Sequence, residues 1–282
     1  MSDVLPSSSE PFHGEGPGPA PSLDLPDLIT PAWAYGDGSG RGVRVAVLDS
    51  GIEADHPDVG AVTEWVDVQV DKSMPDGVRF DHEPHADLYG HGTACGGIIR
   101  QLAPHCELVS VRVLGTTLRG SARAFAHGLE WCIDNDIDIA SLSMSTPNDE
   151  WAETFWDLVD RASYRNMMIV SAMNNEPKRT IPSEFASVFS VACAPGTDRE
   201  LVWCRSTGPG QWGAVGIDVQ VAWLGGGQIL STGNSYATPV VAGHLARILG
   251  AHPGLTTWQA KTVLAALAVN RANPERVEAT PP

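Results

Sequence analysis

Short apolar runs alternate along the chain with longer segments in which apolar residues recur every three or four positions. The runs over 44–51, 108–114, 137–145, 167–173 and 188–194 predict buried strands. The segments 121–135, 150–166, 238–252 and 256–269 have helical periodicity, and Pro239 is expected in the first turn of the third segment. Strands that alternate with helices indicate right-handed crossovers, so we expect an α/β fold with a mostly parallel central sheet and helices on both faces.

The two ends of the chain differ in composition from the part between them. Residues 1–26 combine Ser and Gly with six prolines, and this composition predicts a flexible segment: Pro6, Pro11, Pro17, Pro19, Pro21 and Pro26. Residues 271–282 are expected to be a flexible tail. We therefore expect one domain over 27–270. No stretch of 18 apolar residues is present, so no membrane span is predicted.

Charge and cysteine content narrow the possible partners and the compartment. The chain has 18 Lys and Arg against 34 Asp and Glu, a formal net charge of −16. This balance argues against nucleic acid and against anionic membranes as partners, and it suits a basic substrate or partner. The start of the chain lacks the pattern of a secretory signal, so we interpret the five cysteines, none in CxxC spacing, as reduced thiols of a cytoplasmic protein.

Three polar residues stand where elements of this fold begin or end. Asp49 ends the first predicted strand, His91 lies between Gly90 and Gly92, and Ser235 precedes a predicted helix. Taken singly, each is typical of a turn or a helix cap. Together, an acid, an imidazole and a hydroxyl at such positions are the parts of an acyl-transfer site.

The segments around these residues resemble one family. VAVLDSGIEADHPDV, GHGTACGGI and GNSYATPVVAGHLA are similar to the segments around the catalytic Asp, His and Ser of subtilisin-like serine proteases, in the same order along the chain. The resemblance covers about residues 27–270 and implies the three-layer subtilisin-like fold. It implies that Ser235 is the nucleophile, that His91 transfers its proton and that Asp49 orients the imidazole.

The resemblance also implies an asparagine that stabilises the oxyanion. The matching segment is SAMNNEP over 171–177, and two alignments are open. Asn174 is the donor if Met173 replaces the family glycine, and Asn175 is the donor if the Asn-Glu pair is matched. We favour Asn174 at this point, because Ala172-Met173-Asn174-Asn175 resembles the family's Ala-Gly-Asn-Asn.

Two further segments resemble the walls of the family's substrate cleft. Leu118, Arg119 and Gly120 would form an edge strand that pairs with the substrate backbone, and Ser143, Met144 and Ser145 would form the second edge. Ser145 and Thr146 replace two family glycines, so we expect a narrowed specificity pocket and a small or unusual P1 residue.

No metal or cofactor is expected. Asp58 matches a calcium ligand of the family, but the loop that completes that site looks deleted after His91. An acidic stretch precedes His91 and also holds His82 and His85; its acids are Asp67, Asp71, Asp76, Asp81, Glu83 and Asp87. We interpret this stretch as a solvated loop that could rim the cleft and favour a basic substrate.

The resemblance predicts a serine endopeptidase acting on a peptide or protein. The apparent absence of an export signal, prosegment and calcium loop resembles intracellular subtilases that trim precursor peptides of ribosomally made natural products. Two alternatives stay open: a silent peptide-binding pseudoprotease, and a transpeptidase or macrocyclase that uses the same acyl-enzyme. The chain also has nine Trp, and an exposed pair among them would indicate a docking surface.

Overall fold

A central sheet organises the protein, whose computed structural model describes residues 25–271. The strands are β1 (Arg44–Asp49), β2 (Val62–Val70), β3 (Val78–Asp81), β4 (Glu107–Arg112), β5 (Ile139–Leu142), β6 (Met168–Ala172), β7 (Phe189–Ala194), β8 (Val202–Cys204), β9 (Trp212–Val215), β10 (Val219–Trp223) and β11 (Gly227–Ser231). The sheet order is β3-β2-β4-β1-β5-β6-β7-β9-β8, and β10 and β11 form a separate antiparallel pair. Neighbours from β2 to β9 run parallel, while β3 and β8 add antiparallel edges.

Helices cover both faces of this sheet. They are α1 (Pro31–Tyr35), α2 (His91–Leu102), α3 (Ala122–Asp134), α4 (Ala152–Tyr164), α5 (Asn234–Ala251) and α6 (Thr257–Leu267). The core on one face joins α1, α2, α5 and α6, and the core on the other joins α3 and α4. Within β1, Val45 and Val47 enter the first core while Ala46 and Leu48 enter the second. This burial on both faces explains the uninterrupted apolar run of the strand.

The α/β fold with three layers is as expected from the sequence. Each strand and helix predicted from the hydrophobic pattern has a counterpart within a few residues of its expected bounds. The expected place of Pro239 is wrong, because α5 begins at Asn234 and Pro239 lies inside the helix. The helix therefore begins at Asn234, before Pro239, and Ser235 lies in its first turn.

The acidic stretch before His91 is not a solvated loop as a whole. Residues 62–81 form the β2–β3 hairpin at the sheet edge. Asp67 is buried and ion-paired with Arg112 of β4, with Oδ2 2.6 Å from Nη2.

The predicted flexible ends lie almost wholly outside the described residues, which take in only Leu25, Pro26 and Arg271 of them. Within the described part, no helix is both long and apolar enough to cross a bilayer. All five cysteines are free thiols.

Candidate active site

Asp49 and His91 form a buried pair at the carboxyl end of the parallel sheet. Asp49 is the last residue of β1, and His91 is the first residue of α2. His91 Nδ1 lies 2.8 Å from Asp49 Oδ2 and 3.0 Å from Oδ1. The other ring nitrogen of His91 is left to face a reacting group, as in an acid–base pair oriented by a carboxylate.

A second carboxylate holds the segment that carries His91. Asp87 is buried and hydrogen-bonded on both oxygens. Its donors are Ser50 Oγ (2.7 Å), Tyr89 N (2.9 Å), Gly90 N (2.8 Å), Thr93 N (2.9 Å) and Thr93 Oγ1 (2.6 Å). These bonds satisfy amides at the start of α2 and tie them to Ser50, the residue after Asp49. Asp87 therefore sets the position of His91 relative to Asp49 without touching either side chain.

Close backbone contact between α2 and the end of β1 also positions the pair. An ideal Cβ at Gly92 would lie 1.9 Å from the carbonyl oxygen of Gly51 and 3.1 Å from the Asp49 Cβ. Only glycine permits this approach. Gly92 N also donates to Ser50 Oγ at 3.2 Å.

The electrostatics of the pair favour a charged imidazole. Burial by itself would lower the pKa of His91, but the Asp49 carboxylate outweighs it and holds that pKa well above its usual value. The Cys95 thiol lies 3.9 Å from both His91 Nδ1 and Asp49 Oδ2. Burial raises the pKa of Cys95, so this thiol is uncharged at neutral pH, and the Asp49 carboxylate is the largest of the influences that raise the pKa of His91.

Ser235 lies beside this pair in the first turn of α5. Its carbonyl oxygen accepts a hydrogen bond from Ser143 Oγ at 2.8 Å, which joins the helix start to the end of β5. The next residue, Tyr236, packs its ring 5.3 Å from the His91 ring. Within residues 25–271 no hydrogen bond joins Ser235 Oγ to the His91 ring. Such bonds often tighten only when substrate binds.

The Asn175 amide, and not the favoured Asn174 amide, faces Ser235. A Cβ placed on Gly233 would lie 3.1 Å from Ser235 Oγ and 3.5 Å from Asn175 Nδ2, so both atoms border the same space. Asn175 Oδ1 accepts from the backbone N of Asn234 at 2.9 Å, which directs Nδ2 toward that space. The Asn174 carboxamide instead accepts from Glu176 N at 2.9 Å in a local turn. This geometry favours the second alignment.

Asn234 connects three elements around this space. Its Oδ1 accepts from Cys193 N of β7 at 2.8 Å, and its Nδ2 donates to the carbonyls of Met173 at 3.1 Å and Asn174 at 3.2 Å. A carboxamide can make all three bonds because it has two N–H donors and a separate carbonyl acceptor, whereas a hydroxyl has one donor. Asn234 therefore ties residues 173 and 174 and β7 to the start of α5.

The six predicted substrate-binding residues line one open pocket of about 380 Å³. Its walls are mostly apolar, with Leu114, Leu118, Phe125 and Met144, and Arg119 is exposed at its edge. The strand predicted over 118–120 is wrong, because Leu118 has φ of 55° in a turn that Gly115 N closes on Arg119 O at 2.9 Å. The segment 143–147 is also irregular, with one antiparallel bridge between Thr146 and Ile181.

Sequence reasoning missed the residues that support the pair. Asp87 was assigned to a solvated loop, and no supporting role was predicted for Cys95 or Asn234. The available signal was the position of Asp87, four residues before a histidine that lies between Gly90 and Gly92. Its role became visible only when the fold brought Ser50 and Thr93 to the same carboxylate.

Groups able to bind a metal are few in the described residues. Asp49, His91 and Cys95 are the one cluster of three suitable ligand atoms found there. An ion at that place would occupy the oriented nitrogen of His91. Asp58, which matches a family calcium ligand, accepts a hydrogen bond from Gln228 on β11 instead.

Comparison with known proteins agrees with this architecture. The chain is 28% identical over 250 residues to subtilisin E of Bacillus subtilis (strain 168), which covers 83% of this chain and 62% of that protein's length. It is 30% identical over 237 residues to subtilisin Savinase of Lederbergia lenta, covering 80% of this chain and 83% of that protein. A cold-adapted subtilisin-like serine proteinase of known structure shares the fold, with a TM-score of 0.64 at 24% identity over 81% of this chain and 82% of that chain. The subtilase family model matches residues 40–279, and the chain therefore belongs to the subtilase family.

Proposed function

We propose that this protein is a serine endopeptidase that hydrolyses peptide bonds through an acyl-enzyme on Ser235. The observation that carries the proposal is the buried Asp49–His91 pair beside the first turn of α5, where Ser235 faces the Asn175 amide. A buried carboxylate–imidazole pair next to a hydroxyl at a helix N-terminus is suited to acyl transfer.

In the first step, Ser235 Oγ attacks the substrate carbonyl carbon while His91 Nε2 takes the hydroxyl proton. The resulting oxyanion would accept hydrogen bonds from Asn175 Nδ2 and from the backbone N–H of Ser235, one of the first amides of α5, which the helix itself leaves unpaired. When the C–N bond breaks, His91 gives its proton to the leaving amine. Water then attacks the ester by the same sequence, and Asp49 stabilises the imidazolium in both halves.

The pocket beside Ser143 supports an apolar substrate side chain of moderate size. Its walls are aliphatic and aromatic, and Ser145 and Thr146 add side-chain atoms where the family has glycines. The acidic stretch gives only partial support to a preference for basic substrates, because two of its six carboxylates are engaged inside the protein. Asp67 is paired with Arg112, and Asp87 is hydrogen-bonded internally. Precursor processing and a cytoplasmic location stay predictions.

Reaction with a fluorophosphonate, which labels activated serines, tests the proposal. Intact mass should show one adduct on the wild type and on the matched control Ser206→Ala, an exposed serine outside the site, and none on Ser235→Ala. A folded wild type without an adduct would refute an activated serine and favour the peptide-binding pseudoprotease.

The mass of the products separates hydrolysis from ligation. Hydrolysis of a test peptide adds one water across the cut bond, and this should hold even when a second peptide supplies a free amine. Products that instead join the two peptides would assign the protein to the transpeptidases.

A further inference from the structure

An exposed groove lined by two tryptophans lies between α4, α6 and the segment 184–187. We name it the tryptophan groove; it encloses about 860 Å³ and its walls include Ala152, Trp156, Phe185, Ala186 and Trp258. Trp156 is 65% exposed and Trp258 is 67% exposed. Two large aromatic rings left open to water on adjacent helices are typical of a binding surface.

A buried lysine contacts two walls of the groove. Lys261 is buried, with Nζ 5.6 Å from the centre of a Trp258 ring and 2.7 Å from the carbonyl oxygen of Ala186. Lys261 thus connects the Trp258 wall to the wall formed by residues 184–187. Arg179 and Glu184, which also line the groove, form an ion pair with 3.6 Å between Arg179 Nε and Glu184 Oε2. A preformed groove of this kind loses little conformational entropy when it is filled.

The start of the described chain runs along the helix that carries Trp258. Residues 25–29 share a second pocket with Thr262 and Ala266. Trp258, Thr262 and Ala266 follow one another at intervals of four residues and therefore lie on the same side of α6. Trp258 is about 6 Å along the helix from Thr262 and about 12 Å from Ala266, since each residue adds about 1.5 Å.

The residues just before Leu25 have the chemistry that an aromatic groove binds. Residues 16–23 read GPGPAPSL, with Pro17, Pro19 and Pro21 and no charge. A polyproline segment rises about 3.1 Å per residue, so the four residues from Leu25 back to Pro21 can span about 12 Å, the length of α6 from Ala266 to Trp258. Aromatic grooves bind such segments because proline leaves little backbone entropy to lose.

We propose that residues 16–23 of this same chain occupy the tryptophan groove. The covalent link at Leu25 gives the segment a local concentration of about millimolar, so weak proline–tryptophan contacts suffice. A second copy would lack that advantage and would bring another strongly acidic surface, since the net charge is −16. An uncharged segment also meets no repulsion from Glu153 and Asp160 at the groove.

The full chain labelled with 5-fluorotryptophan tests this by ¹⁹F NMR. The resonances of Trp156 and Trp258 are assigned with Trp156→Phe and Trp258→Phe, and intact mass verifies that residues 1–24 are present. The triple variant Pro17→Ser/Pro19→Ser/Pro21→Ser should shift both resonances toward the position of a solvent-exposed tryptophan. The matched control Pro6→Ser/Pro11→Ser should leave them in place, and the resonance of buried Trp212 should stay unchanged in every variant.

Two results would overturn the proposal. Unmoved resonances in the triple variant would mean that the groove does not hold this segment. Wild-type resonances that move toward the exposed position on dilution would mean that a second copy fills it. This test needs no catalytic activity, so its outcome is independent of the proposed peptidase function.

Discussion

Substitution of Asn175 by Leu should cost most of the activity while leaving the fold intact. Asn175 Nδ2 faces the space beside Ser235 Oγ that an oxyanion would occupy, and Leu has a similar volume without a donor. The matched control is Asn174→Ala, which removes only the local bond to Glu176 N. The two neighbouring asparagines therefore separate a role at the oxyanion from a role in the loop.

The expected magnitude follows from the kind of hydrogen bond that is lost. Removing one oxyanion donor lowers kcat by about 10²–10³, or about 2.7–4 kcal/mol of transition-state stabilisation. KM should change little, because this donor acts on charge that develops only in the transition state. Loss of the Asn175 Oδ1 bond to Asn234 N should cost about 1 kcal/mol of unfolding free energy, which a denaturation curve measures separately.

Steady-state kinetics on one chromogenic peptide decide the outcome. We expect Asn174→Ala to stay within a few-fold of the wild type in kcat. A hundredfold loss in Asn174→Ala with an active Asn175→Leu would refute the assignment and restore the first alignment. A rise in KM with unchanged kcat in Asn175→Leu would show that this side chain binds ground-state substrate only.

Four further predictions concern the active-site pair and the structure around it. Because His91 must be neutral to accept a proton and Asp49 raises its pKa well above the usual value, kcat/KM should fall about tenfold per pH unit below that pKa, and a pH profile flat from alkaline to mildly acidic conditions would contradict this. Asp49→Asn should lower kcat about 10⁴-fold, and a variant within tenfold of the wild type would contradict the role given to Asp49. Arg112→Met should lower the unfolding free energy by about 3 kcal/mol at neutral pH, since it leaves Asp67 buried and unpaired. Burial would raise the pKa of Asp67, but Arg112 and Gln69 lower it below 3.8, so this stabilisation exists above that value and is lost as pH falls through the lowered pKa. Chemical denaturation should therefore show wild type and Arg112→Met converging in acid, and a constant gap would count against the ion pair. Gly92→Ala should cost about 3 kcal/mol or more because its Cβ meets Gly51 O, whereas Gly96→Ala, with Ile52 3.4 Å away, should be nearly neutral in thermal unfolding.

The acidic stretch before His91 shows where reading the sequence failed. A segment with many carboxylates predicts a solvated loop when only the polarity of each residue is considered. In the structure, Asp67 is buried because Arg112 from β4 neutralises it, and Asp87 is buried because five donors surround it. Partners supplied by residues far away in the chain, such as Ser50 and Arg112, could not be seen from local composition.

The asparagine pair shows a different limit. Asn174 and Asn175 have the same side chain and are adjacent, so no pattern of residue types distinguishes them. They differ in which amide lies over the start of α5, where Asn234 N donates a hydrogen bond to Asn175 Oδ1. This bond joins residues that are 59 positions apart in the chain, so no local pattern could indicate it.

The sequence by itself determined the layer architecture, the places of Asp49, His91 and Ser235 at element ends, and the family resemblance. These follow from period, burial and short motifs, which are properties of neighbouring residues. Only the tertiary structure decided that His91 Nδ1 meets Asp49 at 2.8 Å, that Asp87 supports the pair, and that Trp156 and Trp258 share one exposed groove. Each of these depends on how the ends of different strands and helices approach one another, and packing of the whole core sets that approach.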